Sequence, residues 1–505
     1  MQVFSFVNLK ICVKILAILQ FCCGSFLPNY LKLRNEIEFD EDKLLFGSRI
    51  ELQNGEQRAN KCLMSAKYQE IDRGFQNPST FLPAKNFLEV QEEIRNSSVY
   101  KLIRRMPKGA VLHVHLPSLT SLDFIVEKLT YLPNLYACLD NNKLRFHFFQ
   151  NPHGECNWIL MNDLRANNVL NDTKIKQYLT SSMDKMKTEF DQNAVWNAFR
   201  EILGVVYGLI LYRPAFELYS YQGLQELYDD NVMYVEIRGT CDGLYELNGH
   251  THKPMECIRI FKDTVDKFIR DHPNFWGAKI IYSTSRRTSP ESFDYHIKTF
   301  KILKSAFPNL IGGFDLHGQE DLGQPLLDFA EKLLELGEEA QFYFHAGETN
   351  WYGQPTDENL IDAVLLKSRR IGHGLALLKH PIVLEMVKNR SIAIELNPIS
   401  NQVLKYVGDM RNHPASYFFA KDFPVVVSND DPNIWGARGL SDDFYETFIG
   451  IMSLKADLRA LKQLAINSII FSSMSEDEQT KAFVKWKVAW EEYINFLSST
   501  QKCTF

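Results

Sequence analysis

Apolar runs recur along this chain from Gly109 onward, and several of them stop on polar residues of the kind a hydrolytic metal site needs. Gly109–His115, Val232–Arg238, Trp276–Tyr282, Leu310–Leu316, Ala340–His345, Arg370–His373, Ile392–Asn397 and Val425–Ser428 each predict a β-strand. Their near-continuous apolar character, without in–out alternation, predicts strands covered on both faces, as in a parallel sheet. Stretches between them, such as Leu326–Leu336, carry helical spacing. Eight strand–helix units predict an α/β fold, a (β/α)8 barrel over residues 106–505. Such barrels carry their sites at the C-terminal ends of the strands. The polar residues fall there, in Leu112-His113-Val114-His115, Phe314-Asp315-Leu316-His317-Gly318, Phe344-His345-Ala346-Gly347-Glu348, Ile371-Gly372-His373-Gly374 and Val427-Ser428-Asn429-Asp430-Asp431.

Three segments break the strand–helix rhythm. At the start, Lys10 and Lys14 precede the apolar run Ile15–Leu19, and Cys23, Gly24 and Ser25 follow it. That pattern predicts a secretory signal peptide over residues 1–24. Residues 25–105 read as a charged, mostly helical extension that wraps the barrel or pairs with a second copy. Residues 129–193, rich in Asn, Pro and aromatics, read as a small domain inserted within the barrel. No later run is long and apolar enough to predict a transmembrane helix.

Secretion changes what the cysteines mean. Removal of the leader leaves Cys62, Cys138, Cys156, Cys241, Cys257 and Cys503, an even set in a disulfide-permissive setting. Cys138 and Cys156 flank a turn-rich segment and make the first candidate bridge, with the pairing of the other four open. The absence of a Cys-x-x-Cys pair argues against a thiolate zinc site and against the cytidine-deaminase type of zinc motif. Asn96, Asn171 and Asn389 each open an Asn-x-Ser/Thr triplet and are candidate glycosylation sites. A formal net charge of -6 over 505 residues makes nucleic acid an unexpected partner.

The strand-end residues suit a hydrolytic metal site. His113 and His115 lie at i, i+2 on a strand, so both rings leave the same face. With His345 and Asp430 they supply three nitrogens and a carboxylate oxygen, a donor set that satisfies one Zn2+ per subunit. Zinc held there lowers the pKa of a bound water toward neutrality. Glu348, three residues beyond His345, is placed for proton transfer to a ring nitrogen. His373 sits between glycines, which let a ligand approach closely. Adjacent acids at Asp430 and Asp431 repel unless one meets a cation and the other a donor.

Met106-Pro107-Lys108-Gly109-Ala110, His113-Val114-His115, His345-Ala346-Gly347-Glu348-Thr349, Arg370-Ile371-Gly372-His373-Gly374, Asn397-Pro398-Ile399-Ser400-Asn401 and Ser428-Asn429-Asp430-Asp431-Pro432 together resemble the adenosine deaminase superfamily. With the leader, the extension and the cysteine-bearing insertion, the chain is similar to the secreted adenosine deaminase-related growth factors. That resemblance covers essentially the whole mature chain. It implies that His113, His115, His345 and Asp430 hold a catalytic zinc, and that Glu348 protonates purine N1. It further implies that His373 orients and deprotonates the attacking water, that Asp431 contacts N7, and that the Gly318 amide meets N3. Trp196, in the helix that returns from the insertion, is a substrate-contact candidate. The resemblance also implies conversion of adenosine, and of 2′-deoxyadenosine, to inosine-type products and ammonia. A Cys138–Cys156 disulfide, homodimerisation through the N-terminal helices, and a cell-surface receptor or glycosaminoglycan partner follow from it as well.

Two positions depart from the family pattern. Leu116 stands where a residue able to hydrogen-bond the sugar is common, and Arg200 follows Phe199 where glutamate is common. Glu201, one step on, is turned by about 100° on a helix. Zinc chemistry is untouched by either change, but ribose recognition is expected to relax. The competing readings are a purine deaminase of altered sugar specificity, an amidohydrolase acting on another amine or amide, and a non-catalytic growth-factor-like ligand.

Overall fold

The computed structural model describes residues 27–499 apart from 142 and 155. The expected leader, and Cys12, Cys22, Cys23 and Cys503, lie outside the described residues. Eight parallel strands form the barrel wall: β1 (Gly109–His115), β5 (Val232–Gly239), β6 (Gly277–Ser285), β7 (Ile311–His317), β8 (His345–Ala346), β9 (Arg370–His373), β10 (Ala393–Leu396) and β11 (Val425–Val427). They run as two four-stranded sheets, β1-β5-β6-β7 and β8-β9-β10-β11. Parallel bridges Val114–Asp430 and Phe314–Phe342 join the two sheets into a closed ring. The strand expected over residues 340–345 is regular only at His345–Ala346, its first part meeting β7 through the single Phe342 bridge. Each wall strand is buried almost throughout, which is why the sequence shows no alternation.

Charges inside these apolar strands pair with one another. Arg238 and Arg370 are fully buried and hydrogen-bond Asp315, Glu236 and Glu395 at 2.6–3.0 Å. Unpaired charge at that depth is expensive, so this network ties β5, β7, β9 and β10 together beneath the strand ends.

Between β1 and β5 the chain leaves the barrel. There β2 (Leu135–Asp140), β3 (Lys143–Phe148) and β4 (Ile159–Leu160) form a small antiparallel sheet in the order β3-β2-β4. A disulfide joins Cys138 to Cys156 across it. The chain returns through the helix Gln192–Ile210, which carries Trp196. Cys62 is also disulfide-bonded, whereas Cys241 and Cys257 are free and buried.

Ahead of the barrel, residues 27–44 are helical and largely exposed, with Leu27, Tyr30, Leu31, Leu33, Ile37 and Phe39 all open to solvent. The helix Asn54–Gln76 instead packs on the last described helix, Glu476–Ser499. Trp490 Nε1 there donates to Glu56 at 2.7 Å. No helix among the described residues is long and apolar enough to cross a membrane.

Candidate active site

A cavity of about 330 Å³ opens at the C-terminal ends of the strands. That volume suits a small ligand of nucleoside size. Its wall includes His115, Leu116, Trp196, Gly318, His345, Glu348, His373, Asp430 and Asp431. Every proposed catalytic and substrate residue of the sequence reading therefore lies on one cavity, and His113 lies directly beneath it.

His113 Nε2 is 3.3 Å and His115 Nε2 3.1 Å from the same Asp430 oxygen. The His113 and His345 rings lie 4.5 Å apart, and those of His115 and His345 5.3 Å. The donor atoms of His113, His345, His373 and Asp430 lie within 4.8 Å of one another, and those of His115, Asp430 and Asp431 form a second such group. The geometry thus gathers the three expected histidine ligands around Asp430 and places His373 beside them.

The groups behind the rings separate ligands from non-ligands. His113 Nδ1 meets Glu395 at 2.8 Å, and His345 Nδ1 meets Asp315 at 2.8 Å. A carboxylate there fixes the proton on Nδ1 and leaves the Nε2 lone pair for a metal. Burial would raise both carboxyls, but His345 and Arg238 hold Asp315, and Arg238, Arg370 and His113 hold Glu395, well below the usual carboxylate range. His113 Nε2 is buried without a hydrogen-bond partner, a costly state that a metal ion relieves. Asp431 and Asp430 together outweigh burial and raise the affinity of His115 for a proton. The same field favours a metal cation. This nitrogen and oxygen donor set fits zinc.

His373 is backed differently. The backbone N–H of Ala415 donates to His413 Nδ1 at 3.0 Å, so the neutral His413 ring carries its proton on Nε2. That nitrogen meets Asn401 Oδ1 at 3.1 Å, and Asn401 Nδ2 meets His373 Nδ1 at 3.0 Å. Burial drives both imidazoles toward the neutral form. The only pattern consistent with the fixed backbone donor puts the His373 proton on Nε2, facing the site.

Backbone strain concentrates at the same residues. His373 and Asp430 adopt φ of +64° and +57°. Side chains rarely take that conformation, and it persists where the surroundings over-determine it. Gly318, at φ +104°, turns the chain as β7 ends.

Acid–base character is spread unevenly over the cavity. Burial, with Asp430 and Glu320 nearby, pushes the Glu348 carboxyl well above its usual range. Burial also pushes Asp431 up to about 7, and Ser118 Oγ donates to it. Asp430 goes the opposite way: the imidazoles of His113 and His115 beside it outweigh burial and hold it well below normal. Glu348 is therefore a proton donor and Asp430 a permanent anion.

Neither departure noted in the sequence acts as a charged wall. Leu116 lines the cavity, but Arg200 is exposed, bonds Asn197 at 2.7 Å and lies against β3. Glu201 pairs with Lys185 at 3.0 Å, away from the cavity. Sequence reasoning assigned no role to Asp315, Glu395, Asn401 or His413, nor to His317, a half-buried imidazole on the cavity wall held by Ser283 at 2.7 Å. A charge interrupting an otherwise apolar strand was the available signal for Asp315 and Glu395, because such a charge must find a partner.

Sequence comparison decides the family. The family model for adenosine deaminase matches residues 169–485, and that for the adenosine/AMP deaminase N-terminal region matches residues 25–103. The chain belongs to the adenosine deaminase family. An adenosine deaminase of Phlebotomus duboscqi is 42% identical over 93% of both chains. Adenosine deaminase 2 of Homo sapiens is 38% identical over 96% of this chain and 97% of its own. The barrel also matches solved structures of an N6-mAMP deaminase from Arabidopsis (TM-score 0.55, 15% identity, 77% of this chain and 99% of that one). A Burkholderia amidohydrolase with bound Zn matches similarly (TM-score 0.56, 15% identity, 79% and 95%). At that identity the likeness is one of fold. For this member of the family, the barrel agrees with the sequence reading.

Proposed function

We propose that the protein is a secreted, zinc-dependent adenosine deaminase that converts adenosine, and 2′-deoxyadenosine, with water to inosine or 2′-deoxyinosine and ammonia. The observation that carries this is the meeting, on one buried nucleoside-sized cavity, of a carboxylate-backed histidine–aspartate cluster with a protonated glutamate. The named relatives, adenosine deaminases at about 40% identity over most of the chain, support the substrate.

His113, His115, His345 and Asp430 would hold the zinc. When bound, it activates water as a nucleophile at neutral pH. Glu348 donates its proton to purine N1 and makes C6 electrophilic. Asp431, steadied by Ser118, donates to N7. The Gly318 amide meets N3, and Trp196 and Leu116 cover the apolar parts of the nucleoside. His373, with its proton on Nε2, donates a hydrogen bond to the attacking oxygen. This replaces the proton-accepting role implied by family resemblance, because neutral Nε2–H has no lone pair to offer. As water attacks C6 it sheds one proton to Glu348, which was left ionised by its transfer to N1. The hydroxyl proton of the tetrahedral adduct then passes to the amino group, the C6–N bond breaks with its electrons on nitrogen, and ammonia leaves while N1 keeps its proton.

The secretory leader pattern, and the Asn96 and Asn389 sequons on exposed residues, support an extracellular site of action. Asn171 is committed to capping a helix, its Oδ1 accepting from Lys174 at 3.1 Å. The exposed apolar side of residues 27–44 supports homodimerisation through the N-terminal region. Removal of extracellular adenosine would itself give growth-factor-like signalling.

Ultraviolet-monitored deamination of adenosine, 2′-deoxyadenosine and adenine, before and after zinc chelation, tests the proposal. Chelator-sensitive turnover of adenosine is expected. A zinc-loaded protein that turns over none of the three refutes it.

A further inference from the structure

A second group of metal-binding side chains lies outside the active site. After β5, the chain makes a tight hairpin in which Glu246 N–H donates to His250 O at 2.9 Å and His252 N–H to Leu244 O at 2.8 Å. Gly249, at φ +85°, makes the reversal. The His-Thr-His spacing carries both imidazoles to one face of the hairpin arm. The helix Pro254–Asp271 follows at once, and its first turn supplies Glu256.

The donor atoms of His250, His252 and Glu256 lie within 4.8 Å of one another. Glu256 Oε2 is 3.9 Å from His250 Nε2 and 3.8 Å from His252 Nδ1. These separations are too long for hydrogen bonds. They lie close to the edge of a tetrahedral zinc site, about 3.3 Å for bonds near 2.05 Å. His252 Nε2 is held by Glu246 at 3.1 Å, and Arg213 holds Glu246 in turn. A carboxylate on one ring nitrogen places the proton there and frees the other for a metal. Lys253 N–H donates to Glu256 Oε2 at 2.8 Å, which keeps that carboxylate ionised and aimed at the histidines. His250 and Glu256 are half exposed, leaving a coordination position for water.

We propose that His250, His252 and Glu256 form a second site for a divalent transition ion such as Zn2+, with Glu246 as the positioning carboxylate behind His252. The bound ion clamps the hairpin to the helix. Cys241, Asp242 and Leu244, at the root of this hairpin, wall the substrate cavity, so occupancy restrains one side of the entrance.

The test uses the full chain with its barrel site filled. Zn2+ is added under calorimetry and bound metal is measured after gel filtration. Wild type is expected to take up one equivalent more than H250A or E256Q, each of which weakens that event at least tenfold. Both variants should retain wild-type turnover when no zinc is added, which separates this site from the catalytic one. E246Q is expected to weaken uptake about 10–100-fold. Co2+ uptake should give a visible absorption difference between wild type and H250A. Equal metal content and equal heats in wild type, H250A and E256Q would overturn the proposal. That result would mean that these side chains only brace the hairpin against the helix.

Discussion

His373 presents Nδ1 to the side-chain amide of Asn401 at 3.0 Å, and that single contact sets which nitrogen of the ring carries hydrogen toward the cavity. Replacing Asn401 by Asp puts an acceptor where the donor was. The His373 proton then moves to Nδ1, and the cavity loses its Nε2–H. N401D is expected to lower kcat about 100-fold with KM nearly unchanged, within the range of a displaced acid–base group. H413A should give a smaller loss of the same kind. A KM effect larger than the kcat effect would show that Asn401 only shapes the cavity.

Glu348 carries the proton that the substrate ring needs, because burial and neighbouring carboxylates keep it protonated. Gln cannot release that proton. E348Q is expected to reduce kcat about 10³-fold while binding a nucleoside product with near-normal affinity. If the protein also signals, an E348Q protein that still signals would assign that role to binding rather than to turnover.

Asp315 and Glu395 touch no substrate, yet they hold His345 and His113 by Nδ1 at 2.8 Å. Loss of such a backing carboxylate costs about 10–100-fold in metal affinity. D315N and E395Q are each expected to release zinc to a chromophoric chelator at correspondingly lower chelator concentration. Circular dichroism checks that the buried Arg238 and Arg370 network has survived. Retention of metal at wild-type strength would show that the rings are held by packing alone.

Lys67 lies buried on the helix Asn54–Gln76, donating to the carbonyls of Ser453 at 3.0 Å and Ala456 at 2.8 Å, with its amine 3.9 Å over the Phe448 ring. Burial lowers its pKa to about 7, with Asp457 offsetting only part of the cost. In the unfolded chain a lysine titrates near 10.4. Between these values the unfolded state binds more protons, so this group makes stability rise with pH. Its contribution is complete above the unfolded pKa and is lost as pH falls through about 7. The difference in denaturation midpoint between K67M and wild type should therefore move in favour of wild type from pH 6.5 to pH 9.5, about one proton's worth of slope. A difference independent of pH would place the charge in water.

The fold was legible because its signals are local. Burial on both faces writes continuous apolar runs into the sequence, and barrel closure puts their polar ends at one mouth, so His113, His345, Glu348, His373, Asp430 and Asp431 could be read as one site. The strand-end rule also brought Gly318 in. Cysteine parity was a weaker guide: Cys138 and Cys156 are joined, but Cys241 and Cys257, an even remainder, stay as free buried thiols.

What the sequence by itself determined is the set of residue types at the strand ends, because a strand's direction and its side-chain period follow from a few neighbouring residues. Tertiary structure alone decided what stands behind each ring. Glu395 reaches His113 from 282 positions away and Asp315 reaches His345 from 30, while an amide, not a carboxylate, reaches His373. Hydrogen bonds of that reach depend on where whole strands and helices pack, and no local pattern records them. They turn three chemically similar histidines into two metal-facing lone pairs and one hydrogen-bond donor.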